Sequence, residues 1–341
     1  MFEQQTKLRA KSWRPIILWI VGIYSVFYFV LQWTIFPKYY RMTARHFASM
    51  NFVLEVESRG WVDHLVIGDS SGLHGIMPRK ITENSFSVAL SGASAMDTYF
   101  VLRRLQNLQI ERSILLTNSM MSRNHYEIDF WERFVMLGTY GFQELREIYS
   151  LGEKNNIFPF NEYSLPHFIL KYLQNKLFMN HHFYLALLDA PRAIVRSWNF
   201  RDNFAEELEM HHGFIHYPSS RQLNELEFVS PYAKILNGPL AISATDDFFI
   251  RKTIELAKEK GVPIDFFELP QGPLPQKPEI LKFQDFHRNY FLALEKEYEN
   301  FHFHQLKTQL KREHFFDFIH LNEIGALIIA DEIKQIAERP R

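Results

Sequence analysis

His64-Leu-Val-Ile-Gly68-Asp69-Ser70 sets a short apolar run, a glycine, an acid and a serine in immediate succession. An apolar run of that length, closed by turn residues, predicts a buried strand, and the residues after Ser70 predict the start of a helix. The sharp turn between them would hold the serine at the carboxyl end of the strand, facing a cleft. The same two residues can be read more plainly as a turn or helix cap, since Asp and Ser both cap well.

Outward from this elbow the pattern repeats. Phe86–Leu90 predicts a second strand ending near Gly92, Asp97–Leu108 a helix that Asp97 could cap, and Ser113–Thr117 a third strand. Farther on, Asp247–Lys260 predicts a helix closed by Gly261, followed by a strand over Val262–Phe267. Phe301–Leu306 predicts the last strand and Leu321–Ala337 the last helix. Alternation of this kind predicts an α/β domain over residues 61–338, with a mostly parallel sheet and helices on both faces. The stretch from about 120 to 240 is aromatic and His-rich without strand alternation, and reads as a helical insertion serving as a lid or as a peripheral embellishment. Pro270–Pro278 reads as a stiff connecting loop.

Thirty-eight Lys and Arg against 39 Asp and Glu leave a formal charge of -1, which carries no footprint for nucleic acid. The absence of cysteine excludes disulfides, thiol catalysis and cysteine zinc sites. Between Arg14 and Lys38 no charge interrupts an apolar run from Ile16 to Phe36, long enough as a helix to cross a hydrocarbon layer of about 30 Å. Residues 15–37 are therefore expected to form a transmembrane helix, with 1–14 as a cytoplasmic tail and 38–60 as a juxtamembrane linker. Lys7, Arg9, Lys11 and Arg14 on the short tail favour that orientation over Lys38, Arg41 and Arg45 beyond the span. Trp13, Trp19, Trp33, Tyr39 and Tyr40 fit interfacial anchors. The run ends in Phe36-Pro37-Lys38 rather than a small-residue cleavage site, and a buried core helix is the alternative reading. A single-pass protein with its large domain outside the cytoplasm, in a periplasm or at a cell surface, is the expectation.

A serine hydroxyl becomes a useful nucleophile only with a base in reach, a group that orients the base, and donors for the developing oxyanion. Phe316-Asp317-Phe-Ile-His320-Leu-Asn-Glu-Ile-Gly325 sets an acid three residues before a histidine at the start of the last helix, so that one carboxylate can steer one imidazole. Together, Gly68-Asp69-Ser70, Gly92 after the second strand, and Asp317-x-x-His320-Leu-Asn resemble, in content and order, the SGNH/GDSL hydrolase superfamily. The resemblance covers roughly residues 60–119 and 240–337. It implies a flavodoxin-like three-layer fold in which Ser70 attacks, His320 acts as base and Asp317 orients His320. It also implies an oxyanion hole from the amides of Ser70 and Gly92. The superfamily's Gly-x-Asn-Asp motif is replaced here by Leu116-Thr-Asn118-Ser-Met, where Asn118 is the candidate for the missing donor.

Membrane-tethered branches of the superfamily, such as the teichoic-acid D-alanylation protein DltD and alginate O-acetylation proteins, are similar in their anchor, serine loop and terminal Asp-x-x-His. That similarity implies a serine acyltransferase or acylesterase acting on acyl esters of a cell-envelope glycan, with a membrane acyltransferase of the MBOAT type as partner. Two alternatives stand beside it: a catalytically silent scaffold for such a partner or a glycan, and a lipid esterase. No cofactor is expected, since no Gly-rich phosphate loop of Walker or Rossmann form is present. His181-His182, His211-His212 with His216, and His302-x-His304 raise a metal reading, but no zinc-protease motif accompanies them, and no metal is expected.

Overall fold

The computed structural model describes residue 13 and residues 15–27, 41–118, 140–155, 164–177, 203–217, 242–272, 278–317 and 319–339. Five strands form one parallel sheet: β1 (Trp61–Gly68), β2 (Phe86–Ser87), β3 (Gln109–Thr117), β4 (Ile264–Glu268) and β5 (Phe301–Gln305). Their order is β2-β1-β3-β4-β5, the flavodoxin-like arrangement, in which the order reverses between β1 and β3. At such a switch point the connections leaving β1 and β3 pass to opposite faces, opening a crevice at the carboxyl edge of the sheet.

The side-chain period of two sorts the core into layers. Leu65, Ile67, Ile114, Leu116, Ile264 and Phe266 face one cluster, while Val66, Leu115 and Phe267 face the other. The first face is covered by helices α1 (Arg41–Ser58), α4 (Ala95–Arg104) and α8 (Ala244–Glu259). The second is covered by α2 (Ser70–Gly75), α3 (Pro78–Ile81) and α10 (Glu323–Ala337), through Ile76, Ile81, Ile329 and Ile333. Strands buried on both sides read as continuous apolar runs, which is why His64–Gly68 and Ser113–Thr117 were visible in the sequence.

Several boundaries differ from expectation. The sequence predicts a linker over residues 38–60, yet α1 runs over Arg41–Ser58 and sinks Phe52, Val53 and Val56 into the core. Its apolar residues do not keep a clean helical period: Leu54 is exposed, while Ser49 lies buried beside Phe52 and Val53. β2 ends at Ser87 rather than Leu90; the chain continues beside β1 through single bonds, Val88 N–H to Val66 and Leu90 N–H to Gly68. Asp97 does not cap α4. Ser94 does, with Asp97 as its partner in a capping box, so the helix starts at Ala95. Helix α9 (Pro278–Glu297), between β4 and β5, was not anticipated.

Within the expected insertion, the described residues include α5 (Phe142–Asn155), α6 (Leu165–Leu177) and α7 (Phe204–Met210); the rest of it lies outside the described residues. The apolar run near the amino terminus is helical over 15–27, with Ile17, Leu18, Trp19 and Ile20 each more than half exposed. No helix among the described residues is long and apolar enough to cross a membrane, and residues 28–37 of the expected span lie outside them.

Candidate active site

Gly68 closes β1 opposite Thr117 of β3, at φ +129. A Cβ there would lie 2.0 Å from the Thr117 carbonyl oxygen, so only glycine lets the chain turn this close to the neighbouring strand. Asp69 follows as the cap of α2: its Oδ1 accepts the Ser71 N–H at 3.0 Å and the Ser71 hydroxyl at 2.5 Å. The plain reading of Asp69 as a cap thus holds, and it is what fixes the next residue. Ser70, first in α2, turns its Oγ toward His320 Nε2 at 2.7 Å.

His320 arrives on a short closed loop. Phe315 and Leu321 form an isolated antiparallel bridge, both buried in the second core cluster, and Phe316 N–H donates to the His320 carbonyl. Asn322 caps α10, accepting from Gly325 N–H at 3.0 Å and donating to the Glu313 carbonyl at 2.7 Å. Gly325 permits this closeness, since a Cβ on it would lie 2.2 Å from the His314 carbonyl oxygen. Leu321, Asn322 and Gly325 are therefore the frame that aims His320.

Within the loop, Asp317 Oδ1 accepts the backbone N–H groups of Ile319 and His320, each at 2.8 Å. Its Oδ2 lies 2.6 Å from His320 Nδ1. Burial pushes the Asp317 carboxyl up, but the hydrogen bond and charge of His320 and the two backbone donors outweigh it and hold it below its ordinary value. An ionised carboxylate only accepts, so Nδ1 carries the proton and Nε2 presents its lone pair to the Ser70 hydroxyl. That is the tautomer a general base needs.

The structure thus brings Ser70, His320 and Asp317 into one hydrogen-bonded line. Gly92 and Asn118 stand at the same sheet edge. Gly92 sits in the turn two residues after Leu90, which bonds to Gly68, and Asn118 follows Thr117, the register partner of Gly68. The Ser70 N–H, at the first position of α2, has no carbonyl to meet within that helix.

Two neighbours were not anticipated. His74, one turn after Ser70, is buried and donates from Nδ1 to the Ile215 carbonyl at 2.8 Å. Burial and the nearby His320 push its pKa down to about 3, so it stays neutral. Tyr217 stacks on His74 (ring centroids 3.8 Å apart) and on Phe316 (4.0 Å), while His320 meets His74 and Tyr217 edge-on. Tyr217 belongs to a strap, residues 211–217, held by Ser87 N–H to His212, Ile215 N–H to Leu73 and Glu323 N–H to Tyr217. The one hint in the sequence was the spacing of Ser70 and His74, which places both on the same side of a helix.

His304 Nε2 lies 2.8 Å from Asp265 Oδ1, His211 and His216 meet edge-on, and His181-His182 lies outside the described residues. Among the described residues no group of three or more His, Cys, Asp or Glu could hold a metal ion. Neither a family model nor a curated protein matches this chain.

Proposed function

We propose that this protein is a membrane-anchored serine acyltransferase or acylesterase of the SGNH type, acting on acyl esters of a cell-envelope glycan. The observation that carries the reading is the line Ser70 Oγ to His320 Nε2 to Asp317 Oδ2, with both hydrogen bonds at 2.7 Å or less. In the proposed reaction Ser70 Oγ attacks the acyl carbonyl as its proton passes to His320 Nε2. The oxyanion is met by the Ser70 and Gly92 amides and the Asn118 side chain. Collapse breaks the bond to the leaving alcohol, which takes the proton from His320, and leaves an acyl ester on Ser70. A second hydroxyl, from a glycan or from water, then attacks that ester, loses its proton to His320, and departs with the acyl group as Ser70 regains its proton.

The apolar run Ile16–Phe36 and the exposed apolar side chains of the helix over 15–27 support a membrane anchor, with the domain outside the cytoplasm. An MBOAT-type acyltransferase as donor partner follows from the family resemblance. The test is labelling with a serine-directed fluorophosphonate and identification of the modified residue by mass spectrometry. Labelling of Ser70 that disappears in His320→Ala is expected. Folded protein that leaves Ser70 unlabelled, or labels equally well without His320, overturns the reading in favour of a silent scaffold.

A further inference from the structure

At the carboxyl ends of β4 and β5, on the same sheet edge as Ser70, a cavity of about 230 Å³ opens between those strands and α9. Its apolar floor includes Leu269 and Phe283; Glu268, Gln284, Arg288 and Gln305 supply polar walls. Glu268 and Arg288 form a loose ion pair at its edge, with Asp285 on the other side of the same guanidinium. Arg288 Nε stands 3.6 Å from Glu268 Oε2, too far for a hydrogen bond, and this Nε is buried with no hydrogen-bond partner among the described residues. An ion pair this long leaves hydrogen-bonding capacity on both side chains, and Arg288, about a third exposed, can present its outer N–H groups to a ligand oxygen.

The charges nearly cancel, which favours a neutral ligand over an anion or a cation. Two amide side chains, a carboxylate and a guanidinium offer donors and acceptors together, as hydroxyl groups require. The volume falls below the roughly 300–1,000 Å³ of sites for drug-sized ligands and suits a single ring. A ring with hydroxyls at its rim and C–H groups on its face matches the polar walls and apolar floor. β4 and β5 stand two and three strands from β1, hence about 10–14 Å along the edge at ~4.8 Å per strand. Leu269 spans part of that gap. Its Cδ1 would lie 2.6 Å from a Cβ on Gly75, the last residue of the helix that begins with Ser70.

We infer that this cavity is a subsite for one neutral sugar unit of a glycan, a unit removed from the one whose hydroxyl reaches Ser70. Which hydroxyl reacts rests on the acyl-transfer reading; recognition of the sugar by the cavity does not. Binding at such a distance from the reacting atoms can be spent on orienting them.

The experiment is direct binding of the full chain, in detergent, to neutral tetrasaccharides of glucose, mannose and N-acetylglucosamine and to a uronic-acid tetrasaccharide, by isothermal titration. At least one neutral tetrasaccharide is expected to bind, and to bind tenfold or more weakly to Arg288→Gln and to Gln305→Ala. Gln305 is exposed, so the second variant keeps the test valid should the first fail to fold. Ser70→Ala is expected to bind as the parent does. Thus binding that persists in a protein inert toward the fluorophosphonate would sink the catalytic reading alone. No neutral tetrasaccharide bound, preference for the uronic acid, or unchanged binding in both cavity variants overturns the subsite.

Discussion

Replacing Asp317 by Asn tests the relay at its least forgiving point. Asp317 Oδ1 is fixed by two backbone N–H groups at 2.8 Å, and only an oxygen can accept both. The amide oxygen of the Asn variant must therefore stay there, which forces its NH₂ into the place of Oδ2, facing His320 Nδ1. An NH₂ at that position donates. His320 then carries its proton on Nε2, where it confronts the Ser70 hydroxyl with a donor in place of a lone pair. Loss of the right tautomer in a triad of this kind lowers kcat by on the order of 10⁴. Allowing for partial rearrangement, a fall of about 10³–10⁴ is expected, or roughly 4–5.5 kcal/mol in the barrier. Because the backbone bonds survive, the melting temperature should barely move. Turnover of p-nitrophenyl acetate and the rate of fluorophosphonate labelling at Ser70 would be measured on both proteins. An Asn variant within tenfold of the parent on both measures would refute His320 as a base oriented by Asp317.

Other expectations follow from the same geometry. Gly68→Ala should destabilise the fold by on the order of 3 kcal/mol in urea denaturation, since a side chain there combines positive φ with a contact of 2.0 Å to Thr117. Leu321→Ala, at the buried root of the His320 loop, should cost about 2–5 kcal/mol and slow turnover as well; full activity in the variant would mean that the loop holds itself. His74 is held neutral by burial, with a pKa of about 3 against an ordinary 6.5, so the unfolded chain binds the extra proton as pH falls. Stability from this group is complete above pH 6.5 and declines toward pH 3, by about 2 kcal/mol between pH 7 and pH 5. Urea denaturation at those two pH values should show that difference shrinking by a similar amount in His74→Gln, and an unchanged difference would contradict neutral burial.

The sheet and the two motifs were legible because each carries a local signal. His64–Gly68 and Ser113–Thr117 are apolar runs between turns, and Asp317, His320, Leu321, Asn322 and Gly325 lie close enough in sequence to be read as one unit. α1 was not legible, since its apolar residues are not confined to one side, Leu54 being exposed and Ser49 buried, so its inward stripe shows only against the core it meets. His74 and Tyr217 escaped for another reason. Their proximity to His320 depends on a strap that returns from a long excursion between β3 and β4, and no periodicity announces such a contact. Gly92 and Asn118 come from the resemblance alone; they lie two residues beyond Leu90 and one beyond Thr117, the residues that flank Gly68.

Ser70 and His320 are separated by 250 residues. A ribosome adding about 5–20 residues per second takes roughly 12–50 s to cover that interval. Throughout it the serine has no base, and is as chemically idle as any ordinary hydroxyl. Under the proposed function, reactivity would begin only when the closing loop docks, so the order of synthesis would keep the unfinished chain from acyl chemistry on itself or its surroundings.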